Sequence, residues 1–145
     1  VKPAKREWKE MMDEIMNVKG KLINSDLFVP QNRERIYWTN IPIRPLPKRP
    51  TWNKEFWTCS HGRLYKKLNG VCGCLTTMCV FDMYHSSVKA PENRITCEDA
   101  EELQGLPRGY TASINRNARN KTARSKMIGN GWTIPVIKHI FEGLK

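Results

Sequence analysis

Four prolines in nine residues, Pro42, Pro45, Pro47 and Pro50, constrain this chain more than any other feature. Each fixes φ and removes an amide donor, so residues 42 to 50 can form neither a regular helix nor a central strand. The run therefore reads as a linker from an amino-terminal helix–strand unit into a different sub-structure. Ahead of it, Trp8, Met11, Met12, Ile15 and Met16 recur at helical spacing, with Lys5, Lys9, Asp13 and Glu14 on the other side. This predicts an amphipathic helix over residues 4 to 18, ended by Gly20, with the Trp/Met stripe in the core. A strand at residues 21 to 24, a turn at Asn24-Ser25-Asp26 and a second strand over residues 33 to 41 follow. Beyond the prolines, short β-like pieces at residues 56–58, 73–77 and 79–81 predict a small, irregular, partly β lobe.

Alternation along the second strand puts Arg33, Arg35 and Tyr37 on one face, with Gln31 just ahead, and Ile36 and Trp38 on the other. Two neighbouring guanidiniums repel each other and stay charged at any ordinary pH. They make sense where anionic or carbonyl oxygens approach that face. The competing reading is a surface pair neutralised by Glu34 and solvent.

Charge points the same way. The chain has 145 residues, 25 Lys+Arg against 14 Asp+Glu, a formal net charge of +11 and a pI near 9.7. That length bounds the chain to one domain with a modest core. The basic excess favours a polyanionic partner, because lysines and arginines meeting phosphates release condensed counterions. No apolar run approaches the ~20 residues of a membrane span, and the polar start is no signal peptide. The expectation is an intracellular protein, nuclear in a eukaryote and cytoplasmic in a bacterium or phage; the initial Val1 suggests a fragment or processed chain. Five cysteines without a secretion signal favour free thiols. Cys59, His61, Cys72, Cys74 and Cys79 fall close together, but the single-residue gaps in Cys59-Ser60-His61 and Cys72-Gly73-Cys74 fit a zinc site poorly. Trp52, Trp57, Tyr65 and Tyr84 among lysines suit either packing or nucleic-acid contact.

Towards the carboxyl end, Thr96 followed by Asp99 predicts a capping box, with Glu98, Asp99, Glu101 and Glu102 in the early turns. Ala100 and Leu103 supply the buried face, and Gly105-Leu106-Pro107 stops the helix. No acidic residue lies between Leu103 and Phe141, a stretch holding Arg108, Arg116, Arg119, Lys121, Arg124, Lys126 and Lys138. This is the clearest phosphate-facing candidate in the chain. Thr133 is placed to cap a last helix with Pro135 in its first turn, and Val136, Ile137, Ile140, Phe141 and Leu144 form its apolar stripe.

Three blocks then resemble the DNA cytosine-5 methyltransferases. Val29-Pro30-Gln31-Asn32-Arg33-Glu34-Arg35-Ile36-Tyr37 looks like that family's Gln-x-Arg-x-Arg motif. Residues 96 to 107 are similar to its Thr-x-x-Glu-x-x-Arg-Leu-Gln-Gly-Phe-Pro block. Gly129-Asn130-Gly131-Trp132-Thr133-Ile134-Pro135-Val136 resembles its final Gly-Asn turn and closing helix. The blocks stand in the family's order and cover most of residues 20 to 145. The ending is similar to those of animal de novo methyltransferases and certain phage-type enzymes.

The resemblance implies an α/β fold: the carboxyl-terminal strands and helices of an incomplete Rossmann-like methyltransferase sheet, with a target-recognition lobe. Residues 1–43 and 94–145 would belong to the catalytic domain and 44–93 to that lobe, which reads sequence through the major groove. It implies double-stranded DNA as partner, S-adenosylmethionine as methyl donor, and a cytosine flipped into a pocket. Arg35 would hold the base at O2, with Arg33 and Gln31 bracing its strand. Asn130, Gly131 and Trp132 would line one side of the cofactor site. Arg94, Arg116, Arg119, Lys121, Arg124 and Lys126 are the candidate DNA contacts, and no metal is implied. The chain departs from the family at Glu102, where an arginine is usual, and at Asp99, where a glutamate is. It also lacks the Pro-Cys-Gln nucleophile block, the Phe-x-Gly-x-Gly loop and the Glu-Asn-Val block. The expectation is a fragment or split subunit that is inactive alone, needs the missing portion in cis or as a second chain, and is poorly soluble by itself. The alternative is a non-catalytic basic nucleic-acid-binding module or regulatory subunit of the same fold.

Overall fold

Helix α1 (Pro3–Ile15) ends on Asn17, whose φ of 49° is the left-handed turn that closes it. The Val18 amide donates to the Asp13 carbonyl (3.2 Å) and the Asn17 amide to that of Glu14 (3.1 Å), the paired bonds of a Schellman cap. Gly20 is therefore not the terminator the sequence suggested. A Cβ there would stand 2.6 Å from Ile36 and 2.7 Å from the Trp38 ring, so this glycine lets strand β2 approach closely. This computed structural model describes residues 3–52, 56–60, 63–67, 70–75, 95–114 and 120–145.

Strands β1 (Lys21–Asn24) and β2 (Glu34–Tyr37) pair antiparallel, Leu22 opposite Ile36 and Ile23 opposite Arg35. Asn24 turns the chain between them: its side-chain oxygen accepts from the amides of Asp26 (3.3 Å) and Arg33 (3.0 Å). β2 is shorter than its β-rich sequence suggested. Past it, Trp38 leaves the ladder to meet α1, edge-on to Trp8 at 5.8 Å and donating to Asp13 at 2.7 Å. Among the described residues this is the aromatic contact of the apolar side of α1. Met11, Met16 and Ile15 stay exposed, Ile15 at 69%, so the stripe is an uncovered face and not core. Helical periodicity specifies a face; what covers it must come from elsewhere.

The proline run is a packed strap. Ile41, Ile43 and Leu46 lie on a cluster built from Ile23, Val136 and Ile140. Arg49 pairs with the buried Asp26 (3.2 Å), and the Trp52 indole donates to the Asp26 carbonyl (2.9 Å). Gly70, at φ +65°, sits where any Cβ would collide with the Trp52 carbonyl. Strands β3 (Phe56–Ser60) and β4 (Arg63–Lys67) form a separate antiparallel hairpin. Residues 73 to 75, expected as a strand, are not one; only Cys72 bridges, in parallel, to Gln31. The piece expected at 79–81 lies outside the described residues.

Helix α2 (Cys97–Leu103) begins with the Thr96–Asp99 capping box and ends at Gly105 (φ +78°), as its sequence indicated. Its Cys97, Ala100 and Leu103 join Cys72, Leu75 and Ile128 in a second core cluster. Helix α3 (Asn120–Asn130) has no amphipathic stripe and was not foreseen; Ile128, Arg124 and Ser125 are its buried anchors. Helix α4 (Ile134–Phe141) closes the chain, burying Val136 and Ile140 but leaving Phe141 and, just beyond it, Leu144 exposed. The fold is thus a mixture of helix and antiparallel strand. Among the described residues no helix is long and apolar enough to cross a membrane.

Candidate active site

The two motifs that stand far apart in sequence meet through Arg33. Its guanidinium is buried, 7% exposed, and donates to the carbonyls of Leu75 (2.7 Å), Gly129 (2.8 Å) and Gly131 (3.0 Å). A buried cation facing three aligned carbonyls holds their segments together through charge-assisted bonds. Gln31, fully buried, secures the strand from the other end. Its amide donates to the Leu103 carbonyl (2.7 Å) and accepts from the Leu75 amide (3.3 Å). Both residues, grouped with Arg35 on the sequence pattern, act here as braces.

Gln104 grips the same turn from the opposite side. Its amide donates to the Ile128 carbonyl at 2.7 Å and accepts from the Thr133 hydroxyl at 2.8 Å. Thr133 does stand at the N-cap of α4, but its hydroxyl goes to Gln104 and makes no cap bond. Gly105 lets Pro135 close in: a Cβ there would be 2.3 Å from the proline ring. Gln104 had no role assigned from its residue type, because a glutamine at a helix end carries no periodic signal.

The fixed turn faces β2 across a cleft of about 420 Å³. Arg35, Asn130 and Trp132 all line it, with Tyr37, Ile137 and Phe141 adding apolar wall. Arg35 is exposed; its guanidinium donates to the Glu34 carbonyl (2.8 Å) and lies 3.4 Å from the Cys74 sulfur. The Trp132 indole is 68% exposed, unusual for the largest apolar side chain. Burial pushes the Tyr37 hydroxyl above its ordinary pKa, against the opposing pull of Arg33 and Arg35. The cleft therefore joins a cation, an amide and aromatic surface, a set that suits a planar polar ring.

The basic stretch divides. Arg94, Arg116 and Arg119 lie outside the described residues, as does the side chain of Lys121 in α3. Lys126 is exposed. Arg124 is not on the surface: at 5% exposure it pairs with Glu98 (2.8 Å) and Glu101 (2.9 Å) and donates to the Thr111 hydroxyl (2.9 Å). Its expected phosphate role gives way to a buried ion pair, which sequence could not separate from its exposed neighbours. Glu101 also accepts from the Thr111 amide (2.8 Å), the Thr111 hydroxyl and the Gly109 amide. Burial pushes its carboxyl up, but the bonds from Thr111, Arg124 and Gly109 outweigh it and leave the pKa lowered. Arg108 pairs with Asp99 (2.7 Å) and Glu102 (3.1 Å).

Cys72, Cys74 and Cys97 are free thiols, and no cluster of three metal-ligating groups occurs among the described residues. His61, Cys79 and the side chain of Cys59 lie outside the described residues. Compared with protein-family models, the chain matches none.

Proposed function

We propose that this chain is the carboxyl-terminal part of a DNA cytosine-5 methyltransferase, contributing strands and helices to a Rossmann-like sheet completed by the missing blocks. One observation carries the reading: Arg33 ties the Gln-x-Arg-x-Arg strand to the Gly-Asn turn, so that Arg35, Asn130 and Trp132 border one cleft. That the two motifs border one cleft supports the reading.

In this reading Arg35 holds O2 of a cytosine swung out of double-stranded DNA and stabilises negative charge developing on the ring. A guanidinium serves because it stays charged and is already oriented. Arg33 and Gln31 hold its strand and touch no substrate. Asn130 and Trp132, on a turn whose backbone is fixed through Gly129 and Gly131, would hold S-adenosylmethionine, which supplies an activated methyl group. The exposed indole and the apolar wall of Ile137 and Phe141 fit such a nucleoside. Lys126 faces phosphate from α3, with Arg94, Arg116, Arg119 and Lys121 as further candidates. The attacking thiolate comes from a Pro-Cys-Gln block that this sequence does not contain.

The test is reconstitution. The chain is mixed with a polypeptide supplying the missing blocks, and transfer of labelled methyl groups to duplex DNA is measured. Transfer that requires both pieces supports the reading. Duplex binding with no transfer from any such mixture favours the non-catalytic nucleic-acid-binding module.

A further inference from the structure

Cys72 and Cys97 pack in the core cluster around Leu75 and Ile128, whereas Cys74 is half-buried and is not part of it. Its backbone is nonetheless fixed from both sides. The Asn32 amide donates to the Cys72 carbonyl and the Cys72 amide to the Pro30 carbonyl, both at 2.9 Å. Just past Cys74, the Leu75 amide donates to the Gln31 side chain (3.3 Å) and the Leu75 carbonyl accepts from Arg33 (2.7 Å). Residues 72 to 75 are therefore clamped alongside the Gln-x-Arg-x-Arg segment.

From that segment the Cys74 sulfur meets both arginines of the motif. Arg33 donates to it from Nη1 at 3.5 Å and Arg35 from Nη2 at 3.4 Å, while its S–H donates to the Leu75 carbonyl at 3.6 Å. Sulfur is a weak acceptor but a polarisable one, suited to lie between two cations that otherwise repel. Arg33 has three carbonyls to hold it as well. Arg35 is exposed, and among the described residues its hydrogen bond outside its own strand is the one to Cys74. A long exposed side chain without such an anchor keeps its rotamer freedom.

We infer that Cys74 is a positioning residue: its sulfur couples the buried brace Arg33 to Arg35 and holds the Arg35 guanidinium in its orientation on the cleft. The consequence for methyl transfer rests on the reading above; the hold on Arg35 does not. A cation already aimed stabilises developing charge without reorganising as the reaction proceeds. Loss of the hold therefore falls on kcat and leaves duplex binding alone.

Two measurements test this. In the 145-residue chain, nuclear relaxation of the Arg35 Nε–H bond reports how tightly the side chain is held. Cys74→Ala should lower its order parameter to about 0.6 or less, and Cys74→Ser, whose hydroxyl also accepts, should restore most of it. In the reconstituted enzyme, Cys74→Ala should lower kcat about tenfold with KM for duplex within about twofold. Placed on Arg35→Ala, the same substitution should have no further effect, whereas a merely structural defect would persist there. An Arg35 side chain equally ordered in Cys74→Ala, an unchanged kcat, or a loss that persists on Arg35→Ala overturns the inference. If no mixture transfers methyl groups while Cys74→Ala still frees Arg35, the methyltransferase reading falls and the hold of Cys74 on Arg35 stands.

Discussion

Arg33 lies 98 residues before Gly131 in sequence and donates to its carbonyl at 3.0 Å, from a side chain that is nearly fully buried. The same guanidinium holds Gly129 and Leu75. Arg33→Ala removes a charge-assisted donor from three carbonyls, and should cost about 3–5 kcal/mol of stability in chemical denaturation. Arg33→Lys should recover little of it, since an ammonium cannot span carbonyls from two segments as a planar fork does.

The Glu101–Arg124 pair joins α2 to α3 and to the loop at Thr111. Glu101→Ala leaves the buried Arg124 guanidinium with Glu98 as its remaining carboxylate, and should cost about 3–5 kcal/mol. Lys126→Ala, on the exposed side of the same helix, should leave stability within about 0.5 kcal/mol. It should weaken duplex binding and lower the salt slope by about one. A melting temperature that falls equally for both would refute this division of the basic stretch.

Asp13 accepts from the Lys9 ammonium (2.6 Å), the Gly20 amide (2.8 Å) and the Trp38 indole (2.7 Å). With Lys9 the largest cause and Gly20 next, its pKa is lowered from 3.8 to about 2. A carboxyl depressed by folding contributes stability that is full above 3.8 and lost as pH falls through the folded value. The Trp8–Trp38 contact should therefore loosen between pH 4 and pH 2, seen as a tryptophan fluorescence transition. Asp13→Asn should abolish that transition.

Gly105 combines a φ of +78° with a turn that admits the Pro135 ring. Gly105→Ala meets both strain and collision, and should destabilise by about 1–3 kcal/mol or more. Gly109, with φ +79° and open space around it, should tolerate alanine better. Thermal melts of the two variants compare them directly.

How much of this was legible in the sequence depended on whether the signal was local. The Thr96–Asp99 box, the Gly105 stop and strand β1 follow from neighbouring residues and appear where the pattern put them. The strand face shared by Arg33, Arg35 and Tyr37 follows from alternation. That Arg33 and Gln31 turn inward while Arg35 stays exposed depends on a turn nearly a hundred residues away, which no local pattern encodes. Helix α3 was missed for a related reason: Arg124 and Ser125, polar by type, are buried by partners on other elements. The α1 stripe failed in the opposite sense, since periodicity made the face and the described residues supply little to cover it.

The account turns on Arg35, because it is the exposed arginine on the cleft that meets both motifs. The decisive measurement is the methyl-transfer rate of the reconstituted enzyme with Arg35→Ala beside the unaltered chain. The expected result is a loss of about 10²–10³-fold, as for removal of one preorganised charge-stabilising donor, with thermal stability and duplex affinity nearly unchanged. Full methyl transfer by Arg35→Ala would contradict the account.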